Sequence, residues 1–283
     1  MRSDPPRVSV LVRARNDAMF IGRTLEGIFS QSVKPFEVLV CDDGSTDSTR
    51  DIASRFPVRF VERPGGPYKP GRTLNLLVRE AKGDIVVFNN SDAIPLDGSW
   101  LAALVEPLLG GRFVFSFANQ LPRPDATALV RKDSERAFGD GKVQATWRFF
   151  FSLASSATWR SNLLEVPFDE EIAYSEDVEW TWRNSRRAGN PVRLAYCPLA
   201  RVEHSHNYTL RGLARRFRGE GAADRAIFGG SPSLARELAS AFRETLRDFA
   251  YLAPRPKSWH EALSSPVRRL VQRLSHWKGM RGG

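Results

Sequence analysis

The run Glu37-Val-Leu-Val-Cys-Asp-Asp-Gly-Ser-Thr-Asp-Ser-Thr-Arg50 changes character once, and that change decides the fold. Val38 to Cys41 is a short apolar, largely β-branched stretch that reads as a buried strand. Asp42 to Asp47 holds only acids, hydroxyls and a glycine, the chemistry of a turn into a helix. Upstream, Val8-Ser-Val-Leu-Val12 repeats the strand character, and between the two Asp17 to Gln31 sets Phe20, Ile21, Leu25, Ile28 and Phe29 at helical spacing. A strand, a helix and a strand joined at this length imply parallel strands with a right-handed crossover.

The alternation continues outward: a helix over Thr46–Phe56, a strand over Val58–Glu62, a Pro/Gly loop over Pro64–Gly71, a helix over Thr73–Ala81 and a strand over Asp84–Asn89. This order predicts an α/β fold, a mostly parallel sheet covered by helices on both faces. Beyond Asn89 the regularity loosens. A helix is expected at Ser99–Leu108, a strand at Phe113–Phe117, then a polar stretch with Pro122, Pro124 and Asp125 and a basic helix to Phe138. A mixture of acids and aromatics follows over Leu163–Trp182, a strand over Val192–Tyr196, and helices fill most of the remainder.

Composition narrows the class. With 283 residues, 42% hydrophobic and 11% aromatic, the chain can bury a sizeable core and is not disordered. The formal charge of +10 is unevenly spread: residues 1–200 net +1, residues 201–283 net +9. A basic end on a neutral body points to an anionic surface or ligand met by that end. The tail carries no recognisable nucleic-acid motif, so no nucleic-acid partner is expected. Val8–Val12 is too short, and too soon followed by Arg13 and Arg15, for a signal-peptide core, and no stretch reaches the roughly 18 apolar residues of a membrane span. The expected location is the cytoplasm. Cys41 and Cys197 form neither a disulfide framework nor a metal pattern and read as buried small residues.

Ligands of open α/β sheets bind at the carboxyl ends of the strands. Here those ends carry Arg13-Ala-Arg-Asn16, Asp42-Asp-Gly-Ser-Thr-Asp47 and Asn89-Asn-Ser-Asp92, with no glycine-rich phosphate cradle after any strand. A structural reading makes Asp43 and Gly44 a turn and Ser45 or Thr46 a helix cap. It leaves two adjacent carboxylates unexplained, and such acids accept hydrogen bonds from a base N–H or a ribose hydroxyl. Asp92 is either a cap before a proline turn or an oxygen ligand for Mg²⁺ or Mn²⁺. In Ser175-Glu-Asp-Val-Glu-Trp180, Ser175 or Asp177 can cap a helix, and a carboxylate at a helix start facing a cleft can also serve as a general base. His204 and His206 hold half of the chain's four histidines; on a strand they point the same way, as a metal or phosphate contact requires.

Taken together these segments resemble the family 2 glycosyltransferases with the GT-A fold, and more narrowly their bacterial rhamnosyltransferase-like members. The resemblance is carried by Val8-Ser-Val-Leu-Val-Arg-Ala-Arg-Asn, Thr24-Leu-Glu-Gly-Ile-Phe-Ser-Gln, Glu37-Val-Leu-Val-Cys-Asp-Asp-Gly-Ser-Thr-Asp-Ser-Thr, Gly71-Arg-Thr-Leu-Asn, Ala81-Lys-Gly-Asp, Ser91-Asp-Ala-Ile-Pro, Gln120-Leu-Pro-Arg-Pro-Asp, Phe168-Asp-Glu, Ser175-Glu-Asp-Val-Glu-Trp and His204-Ser-His-Asn-Tyr, in order over residues 6–230. It implies inverting transfer of a sugar, rhamnose in the subgroup, from a nucleotide-diphosphate donor (dTDP, UDP or GDP) to a saccharide or lipid-linked acceptor. By position it implies that Arg13, Asp42, Asp43, Arg72 and Ser91 line the nucleotide site. It also implies that Asp92 with His204 or His206 holds Mg²⁺ or Mn²⁺, that Asp177 is the base, and that Glu176 and Trp180 meet the acceptor. Asn90 departs from the pattern, standing where many relatives have an acid. That departure motivates the alternative of a catalytically weak sugar-nucleotide-binding scaffold.

The expected organisation is a GT-A domain over residues 1–230 and a basic helical extension over residues 231–283. From Ser231, Leu234, Leu238, Phe242, Leu246 and Phe249 recur every three or four residues, as do Val267, Leu270, Val271, Leu274 and Trp277 around Arg268, Arg269, Arg273 and Lys278. The first helix reads as packing on the catalytic domain or on a homodimer partner. The second, with a basic face and a terminal Trp, suits peripheral contact with an anionic membrane at the inner face of the cell membrane.

Overall fold

The computed structural model describes residues 5–63, 65–230 and 232–282; Pro64 of the expected loop and Ser231 at the head of the expected helix lie outside them. The elements run β1 (Val8–Ala14), α1 (Ile21–Phe29), β2 (Glu37–Asp42), α2 (Thr49–Ala53), β3 (Arg59–Phe60), α3 (Pro70–Glu80), β4 (Ile85–Asn90), β5 (Ile94–Pro95) and α4 (Trp100–Leu109). They continue with β6 (Phe115–Leu121), α5 (Ala128–Ala137), β7 (Ser155–Trp159), α6 (Arg160–Glu165), α7 (Glu176–Ala188), β8 (Leu194–Glu203), α8 (Leu210–Phe228), α9 (Leu234–Leu252) and α10 (His260–Arg281). Two compact units result. One takes the chain up to Leu121, Phe138–Glu171 and Glu176–His204; the other takes Pro122–Ala137, Ile172–Ser175 and the chain from Ser205.

The first unit is built on one eight-stranded sheet ordered β3-β2-β1-β4-β7-β6-β8-β5. Its apolar runs are buried on both faces, as parallel strands under helices require: Val10 to Val12, Val38 to Cys41 and Ile85 to Phe88 are all inaccessible to solvent. Ile21, Leu25 and Ile28 of α1 and Trp100, Leu101 and Leu104 of α4 join them in the same core. The pairings of β1 with β2 and β4, of β2 with β3 and of β6 with β8 are parallel, whereas β7 and β5 run against their neighbours. β2 and β4 leave β1 on opposite sides, so the strand order reverses there. The carboxyl ends of β1, β2 and β4 consequently open a crevice at one edge, with Ala14 level with Asp42 and Arg13 level with Asn90.

β7 has no counterpart in the sequence reading. Ser155-Ser-Ala-Thr-Trp159 lacks the apolar character of a buried strand, yet it lies wholly between β4 and β6. Two of its three hydroxyls are used locally: the Trp100 indole donates to Ser155 Oγ at 3.0 Å, and Thr158 Oγ1 donates to the Val114 carbonyl at 2.7 Å, whereas the buried Ser156 Oγ has no hydrogen-bond partner among the described residues. β8 runs to Glu203, well past the expected end at Tyr196, with an irregularity opposite Ala118 and Asn119.

In the second unit α5, α8, α9 and α10 are joined by charge as much as by apolar contact. Asp248 on α9 is fully buried. It accepts from Lys132 Nζ (2.5 Å), Ser265 Oγ (2.6 Å) and Arg269 Nε and Nη2 (2.7 and 2.8 Å). Arg269 also forks onto Asp133 at 2.9 Å through two nitrogens. α8 and α10 approach so closely at Gly221 that a Cβ there would lie 2.1 Å from the His276 carbonyl oxygen. The stripe Leu234, Leu238, Phe242, Leu246 and Phe249, expected to pack on the catalytic domain or on a homodimer partner, is exposed on this chain. Arg269 of the expected outward basic face of α10 points inward, because the buried Asp248 needs its charge.

Candidate active site at the strand ends

The loops after β1 and β2 are stapled to each other. Asn16, held at a positive φ of 53°, donates its amide to Ser45 Oγ at 2.9 Å and accepts from the Thr46 amide at 2.8 Å. Ser45 in turn donates to Asp42 through both its amide and its hydroxyl. The expected caps, Ser45 and Thr46, are thereby engaged elsewhere, and the helix begins only at Thr49, whose amide is met by Asp47 Oδ1 at 3.0 Å. Asp42 is thus bound up in the turn. Asp43 is buried and faces the cleft between two arginines, Arg15 Nη1 at 3.0 Å and Arg63 Nε at 2.6 Å.

Arg13, at the end of β1, reaches across to α7. Its guanidinium donates to Glu176 Oε1 at 3.2 Å, to Asn90 Oδ1 at 3.2 Å and to the Tyr68 hydroxyl at 3.5 Å. Burial lowers its proton affinity, but Tyr68 and the two carboxylates at the start of α7 raise it further, so it stays a cation. Arg13 thereby fixes the Glu176 side chain beside Asp177. Desolvation first, and the Glu176 charge second, push Asp177 up to about 7, against hydrogen bonds from backbone amides that include Val178 and Leu153. A carboxyl group that changes protonation near neutrality at a cleft is suited to accept a proton.

Asp92 follows β4 and His204 follows β8. His204 Nε2 lies 3.5 Å from Asp92 Oδ1, while its Nδ1 lies 2.8 Å from Gln120 Oε1. The Gln120 amide is itself oriented by donating to Ser152 Oγ at 2.7 Å, so its oxygen faces the histidine. With Nδ1 turned to the Gln120 oxygen, Nε2 faces the Asp92 carboxylate, a placement from which an imidazole can bind a metal. His204 and His206 are not on a strand, since β8 ends at Glu203. His206 falls in the second unit, its ring 5.2 Å from that of Tyr208.

The remaining expected residues are placed as follows. Ser91 is buried and donates to Asp17, while its carbonyl accepts from Thr24 Oγ1 at 2.8 Å. Arg72 is exposed at the start of α3 and pairs with Glu171 at 2.8 Å and Glu170 at 3.6 Å. Lys69 pairs with Glu171 as well. The same loop is fixed to α3 by Asn75, whose amide donates to the Phe168 carbonyl at 2.9 Å and accepts from the Phe168 amide at 3.0 Å. Gly71 admits this contact, since a Cβ there would stand 2.1 Å from the Asp169 carbonyl oxygen. Trp180, expected at the acceptor, is 3% exposed: its indole donates to the Val166 carbonyl at 2.7 Å and it meets Phe115 edge-on. Its place is in the core.

Residues 9–167 match the family described as Glycosyl transferase family 2. The chain belongs to that family. Arg13, Asp42, Asp43, Arg72 and Asp92 lie within the matched residues, and Asp177 and His204 lie beyond them. This family 2 glycosyltransferase is 24% identical over 294 residues to the O-antigen chain rhamnosyltransferase RfbN of Salmonella typhimurium, covering 97% of this chain and 91% of that one. It is 26% identical to the O-antigen chain rhamnosyltransferase WbaN of Salmonella anatum, over 88% of this chain and 83% of that one. Among solved structures it resembles the mannosyltransferase PcManGT from Pyrobaculum calidifontis in complex with GDP-Man and Mn²⁺, with a TM-score of 0.65 and 22% identity over 96% of this chain and 88% of that one. The sheet flanked by helices is the GT-A fold.

Sequence reasoning missed Arg15, Arg63, Tyr68 and Gln120. Arg15 stands in the quoted strand end and Gln120 in a quoted motif, so both were visible without a role. Arg63 stands just before the Pro/Gly loop and Tyr68 within it, where nothing in spacing announces which residue turns toward the sheet.

Proposed function

We propose that this family 2 glycosyltransferase moves a sugar, with inversion, from a nucleotide-diphosphate donor to a hydroxyl of a saccharide or lipid-linked glycan. The observation that carries the reading is Asp177, a carboxyl group tuned to about 7 at the carboxyl edge of the sheet, where Arg13 and Glu176 hold its neighbourhood rigid. Asp43 would accept hydrogen bonds from the base or ribose of the donor, with Arg13, Asp42 and Ser91 framing the site and Arg72 reaching the ring or the diphosphate. Arg15 and Arg63 would orient the Asp43 carboxylate.

The donor set of Asp92 and His204 fits a divalent cation, one carboxylate oxygen with one imidazole nitrogen, and His206 is a further candidate ligand two residues on. Mg²⁺ or Mn²⁺ bound there would neutralise charge that develops on the departing diphosphate. Asn90, in place of an acid, adds no charge and is occupied by Arg13. Asp177 takes the proton of the acceptor hydroxyl as that oxygen bonds to the anomeric carbon; the bond from that carbon to the diphosphate breaks, and the nucleoside diphosphate leaves. Attack opposite the leaving group inverts the centre. The O-antigen rhamnosyltransferase relatives support rhamnose as the sugar and a glycan as the acceptor.

The test is Asp177→Ala. Transfer falls by a factor on the order of 10² to 10⁴, while donor affinity by calorimetry stays at the wild-type value. Turnover within a fewfold of wild type contradicts the assignment of the base.

A further inference from the structure

α9 and α10 turn their apolar residues outward and their acids inward. On α9 Phe242 is 64% and Leu246 50% exposed, with Leu234, Leu238 and Phe249 also exposed, while Glu244, Thr245 and Asp248 are buried. On α10 Leu263, Val267 and Leu270 are exposed, and Ser265, Arg269 and Gln272 are buried. Exposed apolar faces of this kind, when contiguous and rimmed by polar residues, mark interaction surfaces. The charges sort in a matching way. The four acids of residues 231–283 are engaged within the unit: Asp248 on Lys132 and Arg269, Glu244 on Arg247, Arg136 and Lys132, Glu237 on Arg273 and His276, and Glu261 on the amides of Ala128 and Leu129. Among the described residues, Arg247 alone of the exposed cations that follow shares one of these acids. The cations Arg236, Arg243, Arg247, Arg255 and Lys257 stay exposed. Trp259 is exposed after Lys257, and a cavity of about 440 Å³ lined by Arg131, Arg255 and Lys257 opens at the same connection.

We propose that α9, α10 and the connection between them form a docking face for an anionic lipid bilayer, on which the helices lie flat. No helix among the described residues is long and apolar enough to cross a membrane, so the contact is interfacial. Charge decides between lipid and a second copy of the chain. Self-association through these helices sets exposed arginines against the same arginines, while the carboxylates of both helices are already engaged within the unit, Glu244 with Arg247 among them. An anionic headgroup layer meets every one of the arginines, while Phe242, Leu246 and Trp259 enter the acyl boundary. This face is separate from the sugar-transfer site and requires neither donor nor cation.

The experiment is co-sedimentation of the full chain with vesicles of phosphatidylcholine alone or with roughly 30% phosphatidylglycerol. The wild type partitions onto the anionic vesicles at least about tenfold more than onto neutral ones, and loses that preference in about 0.5 M salt. Phe242→Asp/Leu246→Asp and Arg236→Ser/Arg243→Ser each lower partitioning about tenfold, with circular dichroism and transfer to a soluble acceptor unchanged. Equal partitioning onto both vesicle types, or full binding by both double variants, overturns the proposal. So does a wild-type dimer, seen by light scattering, that Phe242→Asp/Leu246→Asp dissolves while no vesicle binding occurs. Loss of transfer by Asp177→Ala with intact vesicle binding separates this proposal from the catalytic one.

Discussion

At Asp177, burial and the charge of Glu176 act in the same direction, and Arg13 holds the Glu176 side chain in place at 3.2 Å. A base works only in its deprotonated form, so its raised pKa places an acidic limb near pH 7 in the transfer profile. Removing the neighbouring negative charge lowers the pKa of Asp177. Glu176→Gln therefore shifts that limb toward acid by about 1 pH unit, measured as kcat against pH with saturating donor. A limb that stays in place or moves toward alkaline pH contradicts the coupling. The acids of Ser175-Glu-Asp are legible in the sequence as a helix start, but which one meets an arginine from residue 13 is decided by a contact across 163 positions. Trp180 shows the opposite limit: an aromatic four residues into an acid-rich helix looks available to ligand, and only the Val166 carbonyl and Phe115 reveal it as core.

Among elements, the first four strands and the helices between them were readable because parallel buried strands are continuous apolar runs and their covering helices are amphipathic. Ser155–Trp159 was not, because a strand enclosed between β4 and β6 is held by its backbone on both edges, with Ser155 and Thr158 paired to Trp100 and Val114, and needs no apolar pattern of its own. In α9 the period was readable and the covered side was not, since buried Lys132 and Arg269 recruit Asp248 and turn the apolar stripe outward. The loop after α6 depends on α3 through Asn75. Asn75→Ala leaves the buried Phe168 amide and carbonyl without these partners and lowers the unfolding free energy by about 2–4 kcal/mol in urea titration, with weakened donor binding. A loss under about 0.5 kcal/mol shows that the loop is held by the Lys69 and Arg72 ion pairs instead.

For the whole molecule, the excess charge in residues 201–283 and the near neutrality before it have separate physical origins. Carboxylates at the sheet edge offset the arginines around them. In the helical unit the acids are drawn inward, and the exposed cations give the surface its sign. The sheet edge thus carries paired charges, and in the proposed function Asp92 and His204 make donor binding cation-dependent. Calorimetric titration of UDP, dTDP and GDP into the wild type, Asp92→Asn and His204→Ala, each with and without Mn²⁺, tests it most directly. Mn²⁺ is expected to tighten at least one nucleoside diphosphate by about tenfold or more in the wild type and by less than about twofold in either variant. An equal Mn²⁺ gain in all three proteins, or no affinity for any nucleoside diphosphate, would contradict it.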